Sequence, residues 1–302
     1  MSHFMVMAII KAGSKDTVEK LLAPYDENLE MPPYVAETRE QLLEGMRERC
    51  HHAAECAKAA ESVAHLPEDE REDAYNKLFG AWPWFHYTFT ASEHFKKLAA
   101  ADGSPDEEVW KLVEAENEGE LDAEGNRLST YNPDSKWDWY ELGGRYSKQL
   151  RIKGKGKSSN CDAARAKDID WDAMMSLTAA QEKKARHFWR CYVERKLPKA
   201  VREGGEDAVR EYLMEEFGFV MYRPEYYAER YGTADGYARH LALWAPYAVV
   251  DSDGWHSVGK MGWFGISNEA EGAEKAWEEG FRSNFVDALG PDDYVAIIDC
   301  HI

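Results

Sequence analysis

The stretches HFMVMAII, residues 3–10, and DDYVAIIDCHI, residues 292–302, decide the fold. Each is a short apolar run, too brief for a membrane span of about 20 residues and rich in the β-branched and aromatic types that suit strands. Each therefore reads as a mostly buried strand. A strand at either end of the chain, with helical patterns between them, predicts an α+β fold. In it a mixed or antiparallel sheet joins the N- and C-terminal strands, and a large helical insertion or cover fills the middle. The expected organisation is a single α+β domain over 1–302, with a helical insertion or subdomain over about 36–120.

Local signals support the helical middle. SKDTVEKLLAPY reads as a short helix stopped by Pro24. From Glu37 to about Ala64 the chain is rich in Ala, Glu, Arg and Lys, which predicts a long surface helix. PEDEREDAYNKLF and SPDEEVWKLVEAE follow, the second with Ser104 and Glu107 as a capping box. Trp82–Thr90 predicts an irregular aromatic segment. Thr178 and Gln181 cap a helix whose apolar face carries Ala185, Phe188, Trp189, Tyr192 and Val193. Further on, LWAPYAVVDSDGWHSVG reads as two strands around a turn at Asp253-Gly254.

The formal net charge is −19 over 302 residues, with 44% hydrophobic and 13% aromatic residues. Such a chain can bury a large core. The acidity disfavours general nucleic-acid binding, because phosphate neutralisation needs Lys and Arg. It suits solubility, or an acidic DNA-mimic inhibitor that occupies a basic surface. Five scattered cysteines predict reduced thiols, and no signal peptide or membrane span is expected, so a cytoplasmic protein is.

The densest chemistry lies in KWDWYELGGRY, residues 136–146. Two backbones fit it. One is a short helix over 133–142 with Asn132 as N-cap; the other is a twisted strand with Trp137 and Trp139 on one face. In both, Gly143 and Gly144 turn the chain and Arg145 emerges beside the aromatics. Arg145 either pairs with Asp138 or Glu141, or stacks on an aromatic while forking two hydrogen bonds to an anion. YSKQLRIK behind it reads as a strand, and the run from Arg145 to Lys157 carries six cations with no acid. GKMGWFG, residues 259–265, is a second glycine–aromatic stretch. The candidate ligand-binding set is therefore Trp137, Asp138, Trp139, Tyr140, Gly143, Gly144, Arg145, Lys260 and Trp263.

Two other constellations carry weaker candidates. On a terminal strand Asp299 and His301 share one face, fit for a general base and its orienting carboxylate, while Cys300 faces the other way as a small apolar residue. Asp168, Asp170 and Asp172 alternate, and three acids on one strand face would offer oxygen ligands to a divalent metal. No cofactor follows from the sequence.

MSHF at the start, YNPDSKWDWYELGGRY, ARAKDIDW, GKMGWFGI and the final DCHI together resemble a family of proteins encoded by bacteriophages and prophages. The resemblance covers both ends and the centre, but not the stretch from about Arg39 to Leu121. Where members read GGRW this chain has Tyr146, an exchange that preserves packing or stacking. The family has no assigned activity and lends no catalytic residue. It implies a phage-encoded accessory or counter-defence factor in the bacterial cytoplasm. Three functions follow as expectations: binding of a host bacterial protein or a small anionic or nucleotide ligand; a hydrolase or transferase acting on nucleotides or nucleic acid; or the acidic mimic.

Overall fold

The computed structural model describes residues 2–79, 85–261, 268–270 and 272–302. The chain divides into two compact units, residues 1–29 with 132–302, and residues 30–131.

The first unit is α+β and is built on a mixed sheet. Its strands are β1 (His3–Ile10), β4 (Trp139–Leu142), β5 (Ala163–Arg165), β6 (Ala248–Asp251), β7 (Gly254–Ser257) and β8 (Tyr294–His301); β2 (Tyr34–Glu37) and β3 (Arg127–Ser129) belong to the second unit. The order is β4-β8-β1-β6-β7, and β5 also pairs with β8. The terminal strands β1 and β8 run antiparallel, paired from His3↔His301 to Ile10↔Tyr294. Among the strands of the described residues, β1 and β6 are the one parallel pair. β6 and β7 form a hairpin that closes at Asp251↔Gly254.

Both faces of the central strands are covered, which is why β1 and β8 read as nearly continuous apolar runs. Phe4, Val6, Ala8, Ala296, Ile298 and Cys300 join one cluster with Leu21, Leu22 and Trp137. Met7, Ile9, Val295 and Ile297 join the other, with Trp171, Met174, Phe281 and Val286. Asp293 ties down the far end of the strand pair. It accepts from Ala12 N (2.9 Å), Gly290 N (2.8 Å) and Lys11 Nζ (3.0 Å).

In the second unit the helix Arg39–Val63 is central, not superficial. It buries Met46, Cys50, Ala53, Ala54, Cys56 and Val63. Small Ala and Cys side chains let Tyr75, Phe95, Leu98, Val109, Trp110 and Val113 approach closely, so a stripe without large apolar residues still forms a core. The helix expected to be capped by Ser104 begins at Asp106 and has no side-chain cap. The Trp82–Thr90 segment lies partly outside the described residues, and a 3-10 turn covers Tyr87–Ala91.

Three local expectations change. Residues 133–142 are not helical: the chain turns at 132–135, and only Trp139–Leu142 are extended, as an edge strand on β8. YSKQLRIK is not a strand. Only isolated bridges, Leu150↔Cys161 and Ile152↔Ile169, form there. Asp168, Asp170 and Asp172 do not alternate on a strand. Asp168 closes a 3-10 turn, and Asp170 caps the short helix Trp171–Met174 by accepting from Ala173 N (3.1 Å). Asp172 pairs with Arg282 (2.7 Å). Among the described residues no helix is long and apolar enough to cross a membrane.

Candidate functional site

The pairing register builds a polar row at one end of the sheet. β1 and β8 place His3 opposite His301, and β4 and β8 place His301 opposite Trp139. Side chains two apart along a strand share a face. His3, Asp299, His301, Trp139 and Glu141 therefore lie on the face that carries Met7, Ile9 and Ile297 farther along.

Within this row each histidine is held by a carboxylate. His3 Nδ1 lies 2.9 Å from Asp299 Oδ1, and His301 Nδ1 lies 2.7 Å from Asp138 Oδ1. An ionised carboxylate only accepts, so Nδ1 carries the proton and each Nε2 presents a lone pair or, after protonation, a donor. Neither Nε2 has a hydrogen-bond partner among the described residues. The two rings are 4.9 Å apart, centroid to centroid, and steeply inclined at 73°. Both side chains are nearly buried, 15% and 12% exposed.

The glycine doublet makes this arrangement possible. A Cβ on Gly144 would stand 2.5 Å from Asp299 Cβ, and one on Gly143 would stand 2.5 Å from the Asp162 carboxyl carbon. Both glycines have positive φ, 73° and 48° in chain order, a backbone that other residues adopt at a cost. The turn lets Arg145 N donate to Asp299 Oδ2 (2.9 Å), so buried Asp299 spends one oxygen on the loop and one on His3. Asp162 is the second anchor. It accepts from Lys148 N and from Ser147 Oγ (3.2 Å). Tyr146 Oη donates to His3 O (3.1 Å); burial, reinforced by the negative charge of Asp299, raises its pKa and keeps it a donor.

The other sequence-derived candidates are divided among several places. Trp137 is buried on the opposite face of the sheet, where its Nε1 donates to Leu22 O (3.1 Å) and its ring meets Tyr140 edge-on at 5.0 Å. Tyr140 is half-buried on that face, and burial raises its pKa. Trp139 is 50% exposed and lies edge-on to His3 at 6.3 Å. Arg145 is exposed, and its guanidinium pairs with neither Asp138 nor Glu141; Asp138 is taken by His301. Lys260 follows β7, four strand positions from β4, roughly 19 Å across the sheet at 4.8 Å per strand. Its backbone N is held by Asn268 Oδ1 (2.8 Å). Trp263 lies outside the described residues. Buried Cys300 faces the core, and burial pushes its thiol far up, so it is inert. Asp168 and Asp170 are committed to turns, and no cluster of three or more His, Cys, Asp or Glu among the described residues is arranged to hold a metal ion.

His3, Asp162 and Tyr146 were absent from the sequence-derived set. His3 had one available signal: antiparallel pairing of the two terminal strands puts the histidine near one end of the chain opposite the histidine near the other.

Compared with family models, curated proteins and solved structures, the chain matches none.

Proposed function

We propose that the protein is an acid–base enzyme, a hydrolase or transferase acting on small nucleotide phosphate esters, with His3 and His301 carrying the protons. The observation that carries this reading is the facing pair of carboxylate-held histidines. General acid–base catalysis requires a proton acceptor and a proton donor fixed at one place, with their tautomers set. Asp299 and Asp138 perform that setting.

In the reaction, neutral Nε2 of one histidine takes the proton of a water or alcohol as its oxygen bonds to phosphorus. The protonated Nε2 of the other gives its proton to the leaving oxygen as the old P–O bond breaks. The two imidazoles end with their protonation states exchanged. Half-exposed Trp139 offers a face for a base, and the guanidinium of Arg145, without an ion pair among the described residues, suits a phosphate. The net charge of −19 favours a small nucleotide over a polymer. The phage resemblance would place this activity in a bacterial cell as an accessory or counter-defence function.

A second reading, binding without turnover of a small anionic ligand or a host protein, is favoured by the exposed side chains of Arg145 and Trp139, neither in an ion pair among the described residues. The two are separated by assaying cyclic nucleotides, dinucleotides and nucleoside phosphates for product by ³¹P NMR, with binding measured in parallel. The enzyme reading expects turnover with a bell-shaped pH profile, and losses of about 100-fold or more in His3→Gln and His301→Gln. An unchanged rate in either folded variant overturns it. Arg145-dependent binding with no product supports the second reading.

A further inference from the structure

An apolar groove in the α+β unit shares no residue with the histidine row. It is lined from the helices Ala179–Phe188 and Ala234–Ala242 and from the loop at 218–223. Its volume is about 400 Å³, inside the range of about 300–1,000 Å³ usual for small-molecule sites. The base of the groove is aromatic. Buried Phe188 meets Phe217, Tyr227 and Tyr237, each at 5.2 Å between ring centroids. Burial raises the pKa of Tyr227 and Tyr237, the latter to about 12, so both present neutral rings.

The loop forms the outer wall. The helix Gly205–Phe217 stops at Gly218, whose φ of 70° turns the chain and whose N donates to Met214 O (2.9 Å). At the other end Tyr192 Oη donates to Tyr222 O (2.8 Å). The apolar segment between them is thus tied at both ends, and the wall stands without a ligand. Phe219 is 79% exposed, Met221 72% and Leu241 43%, and all three line the groove. Single exposed apolar residues are ordinary; several around one groove mark a binding surface.

Charge selects the occupant. Among the described residues Lys184 is the one charged side chain lining the groove, in a chain with 56 acids and 37 bases. Lys184 is exposed and has no ion pair among the described residues. Acids on bordering helices are engaged elsewhere: Asp235 pairs with Arg186, and Glu216 lies 3.2 Å from His187 Nε2. More distant acids are screened over about 8 Å at physiological salt. An aromatic box alone would suit a quaternary ammonium, but Lys184 turns the preference toward an anion. We propose that this groove binds an apolar monocarboxylate of the medium-chain fatty acid class, its alkyl chain over Phe188, Tyr227 and Tyr237 and its carboxylate at Lys184.

The test is calorimetric titration of the whole chain with octanoate, decanoate, octanol and octyltrimethylammonium. Both carboxylates should bind, decanoate about tenfold more tightly, since each buried methylene tightens binding by up to about fourfold. Octanol and octyltrimethylammonium should bind about threefold more weakly than octanoate, or worse. Lys184→Gln should erase the preference for octanoate over octanol while leaving octanol unchanged. Leu241→Ser should weaken decanoate about fivefold. Both side chains are exposed, so both variants fold. No heat with decanoate at millimolar concentration overturns the proposal. So does octanol or octyltrimethylammonium binding as tightly as octanoate, or an unchanged decanoate affinity in Leu241→Ser. A dimer in sedimentation that Met221→Ser dissociates would assign the groove to a second copy of the chain and likewise overturn it.

Discussion

Trp137 and Trp139 are two positions apart, yet they belong to different worlds. Trp137 is 7% exposed, its indole nitrogen bonded to Leu22 O; Trp139 is 50% exposed at the sheet edge beside His3. A continuous strand would have put both on one face. The strand starts only at Trp139, because Trp137 instead makes a bridge to Asp26 and accepts from Glu27 N (2.8 Å). The bend between them assigns one tryptophan to packing and leaves the other open at the sheet edge. The same division runs through β1 and β8, whose one face is apolar from end to end while the other ends in His3, Asp299 and His301.

The sharpest way to break this comparison is to truncate both tryptophans. Trp137→Ala should cost about 3–5 kcal/mol in urea unfolding, the loss expected for a buried aromatic. Trp139→Ala should stay within about 0.5 kcal/mol while weakening nucleotide binding. Equal destabilisation would remove the distinction.

Next in size is Gly144→Ala. The new methyl would collide with Asp299 on a left-handed backbone, so a loss of roughly 2–4 kcal/mol is expected, from overpacking plus the αL penalty. Catalysis should fall with it, since the carboxylate that holds His3 must move. A neutral result by thermal unfolding would show that Asp299 is not fixed by this turn.

Asp293→Asn should cost about 1–3 kcal/mol and change the pH dependence. Burial raises the pKa of Asp293, but the N–H groups of Ala12 and Gly290 and the ammonium of Lys11 outweigh it, leaving a lowered value. A depressed folded pKa adds stability that is complete above the unfolded value, about 3.9, and is lost as pH falls through the lower folded one. The variant should therefore flatten the acid limb of the stability curve below about pH 4.

The smallest expected change in stability is that of Arg145→Ala, within about 0.5 kcal/mol, because its side chain is exposed and has no ion pair among the described residues. Binding of a phosphate-bearing ligand should nevertheless drop, which calorimetry would read.

Some of this was legible in the chain. The terminal strands announced themselves by composition, and the glycine doublet by its place after an aromatic strand. Asp299 and His301 followed from period two alone. Asp138 also stood among the candidates, but as a partner for Arg145, whereas it holds His301. The partnership of His3 with Asp299 was not legible, since the residues are 296 positions apart in sequence and no local signal spans that distance. The alternating aspartates misled for a related reason. Their spacing implied a strand, but Asp170 found a better use capping Trp171–Met174, as short polar side chains compete for nearby backbone N–H groups.

Local propensity and patterning thus determined the terminal strands, the long helices and the turn at the glycine doublet, because those choices are settled among neighbours; the shorter segments at 133–142, 146–153 and 168–172 were not settled that way. Register and layer order were decided only in the tertiary structure. They set His3 against His301, seated Asp299 under Gly144, buried Trp137 and carried Lys260 to the far edge of the sheet. The physical reason is that a site is assembled by pairings between distant segments. Those pairings are fixed when both faces of β1 and β8 are buried together, since a slip by one residue would exchange the side chains packed in the two clusters and carry His3, Asp299 and His301 into the opposite one.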